Sequence, residues 1–308
     1  MKDDDSSLYP DELKNVKSYA LALLHKADAV GQLPTPIDHI VKSANLYVNE
    51  GFELTTDYKK TFNIIAKIEK FARPNIHGVK KLLGLLHVPS GAILIDRLQH
   101  ENKKKFIKLH ESGHGFMPHQ RKIYEIMEDG NLELDHDVDD LFEREANNFA
   151  AETLFQLDKY EKIAADYDIS IKTPIELSRI FGSSAYASMR RYVQTHFSPI
   201  AMGVYNKEEN NLKNHRFILR RAPMHSIEFL KNIGKLILPE ICTTSDYLGK
   251  LMNTARLQTH HQCDMRDANK NNYNCSLQIF NNSYEIFIMI IPVKKTQVIV
   301  SNIHLVCI

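Results

Sequence analysis

Residues 110–114 read His-Glu-Ser-Gly-His. Two histidines four positions apart on a helix lie on one face, one turn above the other, so both imidazoles can reach the same divalent cation at about 2.0–2.1 Å. Glu111 projects from the same end of that site. There a carboxylate can accept a proton from water that a zinc ion has acidified towards neutral pH. The chemistry that this spacing supports is metal-assisted hydrolysis.

Five residues of this pattern also arise by chance, and a helical histidine pair can be an ordinary solvated or core pair, so the surroundings decide. Phe106, Ile107 and Leu109 give the helix an apolar face, the apolar run Ala92 to Ile95 precedes it, and a carboxylate-bearing helix follows. A hydrolytic zinc needs a third protein ligand and an open position. The candidates are His119, the acidic cluster Asp135, His136, Asp137, Asp139 and Asp140, and the pair Glu143 and Glu145. A rigid helix places a ligand better than a loop. Glu143 shares a face with Asn147 and Ala150, and small Ala150 and Ala151 let two helices approach, whereas Glu145 lies about 200° around the helix from Glu143. The acidic cluster reads as a solvated loop.

The elements that must hold these groups follow from periodicity. Val16, Tyr19, Ala20, Leu23, Leu24 and Ala27 form one helical stripe. Thr35-Pro36 reads as an N-cap with proline at the first helical position, opening a helix to about Ala44 before the extended Leu46 to Val48. Asp57 caps an expected helix with Phe62, Ile65, Ile68 and Phe71, ended by Arg73-Pro74. Val79 to His87, the turn Pro89-Ser90-Gly91 and Ala92 to Asp96 predict a hairpin whose second strand is also a candidate edge for an extended peptide. The metal helix is expected from Asn102 to about Gly115 and its partner from about Asp139 to Phe155. Thr173-Pro174-Ile175-Glu176 reads as a capping box opening a helix to Ile180; Gly182-Ser183-Ser184 separates it from Ala185 to Gln194. After Pro199 the pattern changes to strands, at 200–205, 216–221, 276–280, 284–291 and 297–306, with a helix near 246–257.

The chain has 308 residues, 43% of them hydrophobic and 25% charged, and a net charge of +1. That balance excludes a disordered chain and a general nucleic-acid coat. The longest strongly apolar stretch, Ile286 to Val293, is too short for a bilayer, and the first thirteen residues are acidic and polar where a signal peptide is basic and apolar. The four cysteines, Cys242, Cys263, Cys275 and Cys307, all fall in the last quarter, so reduced thiols and a cytoplasmic location are expected. His260, His261, Cys263 and Cys275 match no common zinc spacing and read as ordinary residues of an Asn-rich loop.

Segment 106–116 (PheIleLysLeuHisGluSerGlyHisGlyPhe) followed by 143–152 (GluArgGluAlaAsnAsnPheAlaAlaGlu) resembles the ImmA/IrrE family of metallo-endopeptidases. The first helix, residues 33–40 and strand 91–95 fit the same pattern, over roughly residues 12–157. The resemblance implies one zinc, with Mn²⁺ able to substitute in vitro. It implies His110, His114 and Glu143 as ligands, Glu111 as general base and acid, and site-specific cleavage of a helix-turn-helix repressor or related regulator, often encoded nearby. Thr153-Leu154-Phe155-Gln156 departs from the Leu-Leu-Met-Pro common in the family, a change expected to touch only the helix end, and His119 is read as a rim residue. Residues 178–192 resemble the helix-turn-helix-like module that follows this peptidase domain, and the strand-rich remainder resembles a GAF-like domain.

The expected fold class is α+β: a polar tail (1–11), a zincin-like, mainly helical peptidase domain with a small sheet (12–170), a helix-turn-helix-like module (171–197) and a C-terminal α+β sensor or docking domain (198–308). The leading expectation is a zinc endopeptidase that cleaves a repressor or antitoxin to control gene expression. The alternative is a DNA-binding regulator with a vestigial or structural metallopeptidase domain, since 172–231 carries Arg179, Arg190, Arg191, Arg216, Arg220 and Arg221; Tyr186, Ser188, Arg190 and Arg191 would then face DNA. A toxin or antitoxin component shares the chemistry. No membrane partner is expected.

Overall fold

The computed structural model describes residues 7–52, 84–129, 134–208, 215–254, 256–267, 269–296 and 304–307. The helix expected at 57–71, its Arg73-Pro74 stop, the first part of the 79–87 strand and most of the 297–306 strand lie outside the described residues. The fold is α+β, and the chain divides into two compact units, one formed by residues 5–160 and 178–184, the other by 1–4, 161–177 and 185–308.

The first unit contains α1 (Pro10–Lys26), α2 (Ile37–Ser43), β1 (Tyr47–Phe52), β2 (Gly84–His87), β3 (Ala92–Asp96), α3 (Glu101–Phe116), α4 (Pro118–Asp129) and α5 (His136–Leu154). The stripe predicted for α1 is buried at Val16, Ala20, Leu23 and Leu24. β3 is the middle strand of a three-stranded sheet, parallel to β1 and antiparallel to β2. The edge role considered for Ala92 to Ile95 is therefore corrected: every residue of β3 is buried, and among the described residues β2 is the outer strand on that side.

Local capping also departs from the sequence pattern. The Thr35 hydroxyl donates to the Leu154 carbonyl at 2.8 Å and does not cap α2. Thr173 lies inside its helix, Lys172–Phe181, and donates to the Asp168 carbonyl. The acidic cluster is not all loop: Asp135 caps α5, accepting from the Asp137 backbone N–H at 2.9 Å, and carboxylates in that first turn oppose the helix dipole favourably.

The second unit holds α6 (Lys159–Ala164) in most of its length, α7 (Lys172–Phe181) in part, and α8 (Ala185–Thr195). Then come β4 (Ala201–Glu208), β5 (Arg216–Leu219), β6 (Met224–His225), α9 (Ile227–Asn232), β7 (Leu236–Ile237), β8 (Ile241–Thr243), α10 (Tyr247–Thr254), β9 (Leu257–Arg266), β10 (Asn272–Asn281), β11 (Ile286–Thr296) and β12 (His304–Cys307). The sheet runs β7-β12-β9-β10-β11-β4-β5-β8, with β6 paired to β4. His260, His261 and Cys263, expected in a loop, lie in the strand β9, where Cys263 sits directly opposite Cys275. All four cysteines are buried and unlinked, so Cys263 and Cys275 are apolar core contacts and not loop residues. Among the described residues no helix is long and apolar enough to cross a membrane.

Candidate metal centre

The site is made by the crossing of α3 and α5. Gly113 is the reason the helices approach so closely: a Cβ there would stand 3.1 Å from Phe149 Cδ1 and 3.3 Å from the Ala146 Cα. Ala146, Phe149 and Ala150 are fully buried, and the close contacts at Gly113 are made by Ala146 and Phe149. α3 begins one residue earlier than expected, with His100 Nδ1 accepting the Asn102 N–H at 3.2 Å.

His110 and His114 face the same point. Their Nε2 atoms are 3.0 Å apart, and Glu143 puts Oε2 3.6 Å from His110 Nε2 and Oε1 3.5 Å from His114 Nε2. Among the described residues this is the one group of three histidine, cysteine, aspartate or glutamate side chains whose ligand atoms fit around one ion. Two nitrogens at about 2.05 Å from a tetrahedral zinc stand roughly 3.3 Å apart, so the observed 3.0 Å between the imidazole nitrogens is within a few tenths of an ångström of the spacing such an ion needs. Both histidines are buried and the Glu143 side chain nearly so.

Burial works against a charged His110, and the neighbouring His114 adds to that, bringing its pKa down to about 3. Burial also opposes charge on His114, but the hydrogen bond and charge of Glu143 prevail and raise it to about 9. The pair thus holds one proton between them. Glu111 is buried beside them; desolvation raises its carboxyl to about 7, while His114 and the Leu86 backbone N–H pull it down. A carboxyl titrating near neutral pH can both take and return a proton.

Gln120 and Glu145 were not assigned to this arrangement by the sequence. His114 Nδ1 lies 2.7 Å from Gln120 Oε1, Gln120 Nε2 donates to Glu145 Oε2 at 2.6 Å and to the Phe142 carbonyl at 3.3 Å, and His119 Nε2 is 2.7 Å from the same Glu145 oxygen. Glu145 thus points away from the histidine pair, as its helical position required. His119 is held at the rim on Glu145. Burial pushes the Glu145 carboxyl up, but the hydrogen bonds from His119 and Gln120 outweigh it and hold it below the ordinary range. The one sequence signal for Gln120 is Pro118: the residue before a proline avoids helical geometry, Met117 is extended (φ −72°, ψ 117°), and the chain turns back so that α4 delivers Gln120 under His114. Tyr124, also on α4, meets His114 edge-on at 5.5 Å. Burial and the nearby Glu143, Asp139 and Glu111 carboxylates raise its pKa, so it remains a phenol.

Residues 68–191 match the peptidase M78 family model, described as IrrE N-terminal-like domain. The match agrees with the resemblance to the ImmA/IrrE family, and the matched stretch includes both motifs. It begins after the first helix and residues 33–40, which the sequence resemblance had included, and it reaches into α8. Among curated proteins no sequence matches the chain. A solved structure titled "Mycobacterium tuberculosis transcriptional regulator" aligns over 92% of this chain and 81% of its own at 9% identity and a TM-score of 0.41.

Proposed function

We propose that the protein is a zinc-dependent endopeptidase that cleaves a regulatory protein, a helix-turn-helix repressor or antitoxin being the expected class. The observation that carries the reading is the convergence of His110, His114 and Glu143 on one point with the buried Glu111 carboxyl beside it. A divalent cation held by the first three supplies Lewis acidity to a carbonyl oxygen and to water. Glu111 takes the proton of the attacking water and returns it to the departing amine. Its hydrogen bond from the Leu86 backbone fixes the carboxylate against β2. The strand-rich C-terminal residues, 198–308, are proposed as the sensor or docking part.

The DNA-binding alternative draws less support. Of the four α8 side chains expected to face a duplex, Ser188 is fully buried and donates to the Pro174 carbonyl at 2.6 Å. Arg191 is paired with Glu161 at 2.7 Å, and the Tyr186 ring lies under the Arg220 guanidinium at 4.8 Å. Arg190 donates to Gln194 Oε1 at 3.4 Å on its own helix, so these four side chains offer little for base readout.

The test is metal analysis together with cleavage of a co-expressed neighbouring repressor. Glu143→Gln is expected to weaken zinc binding and Glu145→Gln to leave it nearly intact, whereas the opposite ranking means that the wrong carboxylate was assigned. Glu111→Gln should retain zinc and fold but lose cleavage by about 10²- to 10⁴-fold. Undiminished cleavage by that variant removes Glu111 from the reaction.

A further inference from the structure

We infer that Gln120 is a positioning residue that fixes His114 in the tautomer a metal requires; the inference rests on the metal reading of His110, His114 and Glu143. Gln120 is completely buried, and a buried amide side chain is retained only if both its ends are satisfied. Its orientation is dictated from the far side. An ionised carboxylate can only accept hydrogen bonds, so the amide nitrogen must face Glu145, at 2.6 Å. The Phe142 carbonyl, likewise only an acceptor, takes the second amide hydrogen at 3.3 Å. That leaves the Gln120 oxygen for His114, and an oxygen 2.7 Å from Nδ1 requires the proton to be on Nδ1. In the neutral ring that a metal binds, the lone pair is then confined to Nε2, the atom directed at His110 and Glu143.

His110 is supported differently: the Asn147 side chain, on the face of α5 that carries Glu143, is its hydrogen-bonding neighbour. The two histidines are therefore held by different groups, His114 by a chain of polar contacts ending at Glu145 and His119 and His110 by Asn147. Groups that orient a ligating histidine in this way commonly contribute 10- to 100-fold in metal affinity.

The experiment measures zinc dissociation constants of the full chain by competition with a chromophoric chelator, with thermal unfolding of the metal-free proteins as a control. Gln120→Leu fills the same space without an acceptor and is expected to weaken zinc binding by about 10- to 100-fold. The exchange Gln120→Glu with Glu145→Gln rebuilds the His114 end of the chain, a carboxylate accepting from His114 and an amide donating to that carboxylate, while losing the Phe142 contact, and is expected to recover most of the affinity that the leucine variant loses. A merely structural role predicts instead that affinity follows the unfolding temperature in both variants. Parent-like affinity in Gln120→Leu, or equal losses in the leucine variant and the exchange, overturns the inference. A parent protein that takes up no zinc, or a His114→Ala variant that keeps it, overturns the metal reading itself.

Discussion

Two imidazole nitrogens 3.0 Å apart in a buried place must share a proton or a cation. This makes metal uptake at His110 and His114 a competition with a proton, and the sign follows from His114. Its metal-free value is raised to about 9, so below that pH the incoming ion must displace a proton, and above it none remains to be displaced. Apparent zinc affinity is expected to climb about tenfold per pH unit from 7 towards 9 and then level. Chelator competition across pH 6.5–10 checks this; a slope that is flat or inverted below 8 would mean that the pair carries no shared proton. At this scale the sequence was most informative where spacing is local. The four-residue step between the histidines and the shared face of Glu143 and Asn147 are properties of a helix alone. Gln120 was not legible, because its position depends on the turn at Met117-Pro118 and on a carboxylate 25 residues further along the chain.

Helix crossings and loop anchors decide whether those residues meet. Gly113→Val is expected to cost about 1–3 kcal/mol, the usual cost of overpacking, because its methyls have only Phe149 and the Ala146 backbone to displace. Loss of zinc affinity should accompany it as α3 and α5 part; an unchanged unfolding temperature would show that the seam is looser than the distances indicate. β2 approaches α3 just as tightly, since a Cβ on Gly84 would fall 2.3 Å from Ile107 Cγ2 and 3.2 Å from Glu111 Oε1. The end of α5 holds the clearest lesson about motif reading. Gln156, which stands where the family has a different residue, was expected to alter only the helix end. It is buried, its amide nitrogen donates to the Gln32 carbonyl at 2.7 Å, and its oxygen accepts the Gly31 N–H at 2.7 Å. Gln156→Leu leaves those backbone groups without a partner and should destabilise the protein by about 1–3 kcal/mol, read by chemical denaturation. No loss would mean that water replaces the amide. A pattern of residue types along one helix carries no record of which distant loop its last residue ties down.

The whole molecule was legible in class and less so in its seams. Alternating apolar residues announced β4, β10 and β11, whose inward faces form a core with Phe217, Ile279, Ile288 and Met252. By contrast β9 was hidden, because polar residues such as Gln258, His261 and Gln262 interrupt its alternation. The division of the chain was hidden as well: it leaves the first unit after Tyr160, returns for residues 178–184 and leaves again. That returning segment is anchored there, with Phe181 fully buried against Phe155 and Tyr160 at 5.8 and 5.3 Å and the Gly182 carbonyl accepting from Lys105 Nζ at 2.9 Å. A fragment ending at 160 is therefore expected to unfold at a lower temperature than one ending at 197, and equal temperatures would show that Phe181 contributes nothing. The same threading means that a break in the backbone at 160 need not be a break in the protein. Two separately translated polypeptides, 1–160 and 161–308, carry complementary halves of one aromatic cluster, and co-expressed they should copurify through a single affinity tag as a split protein.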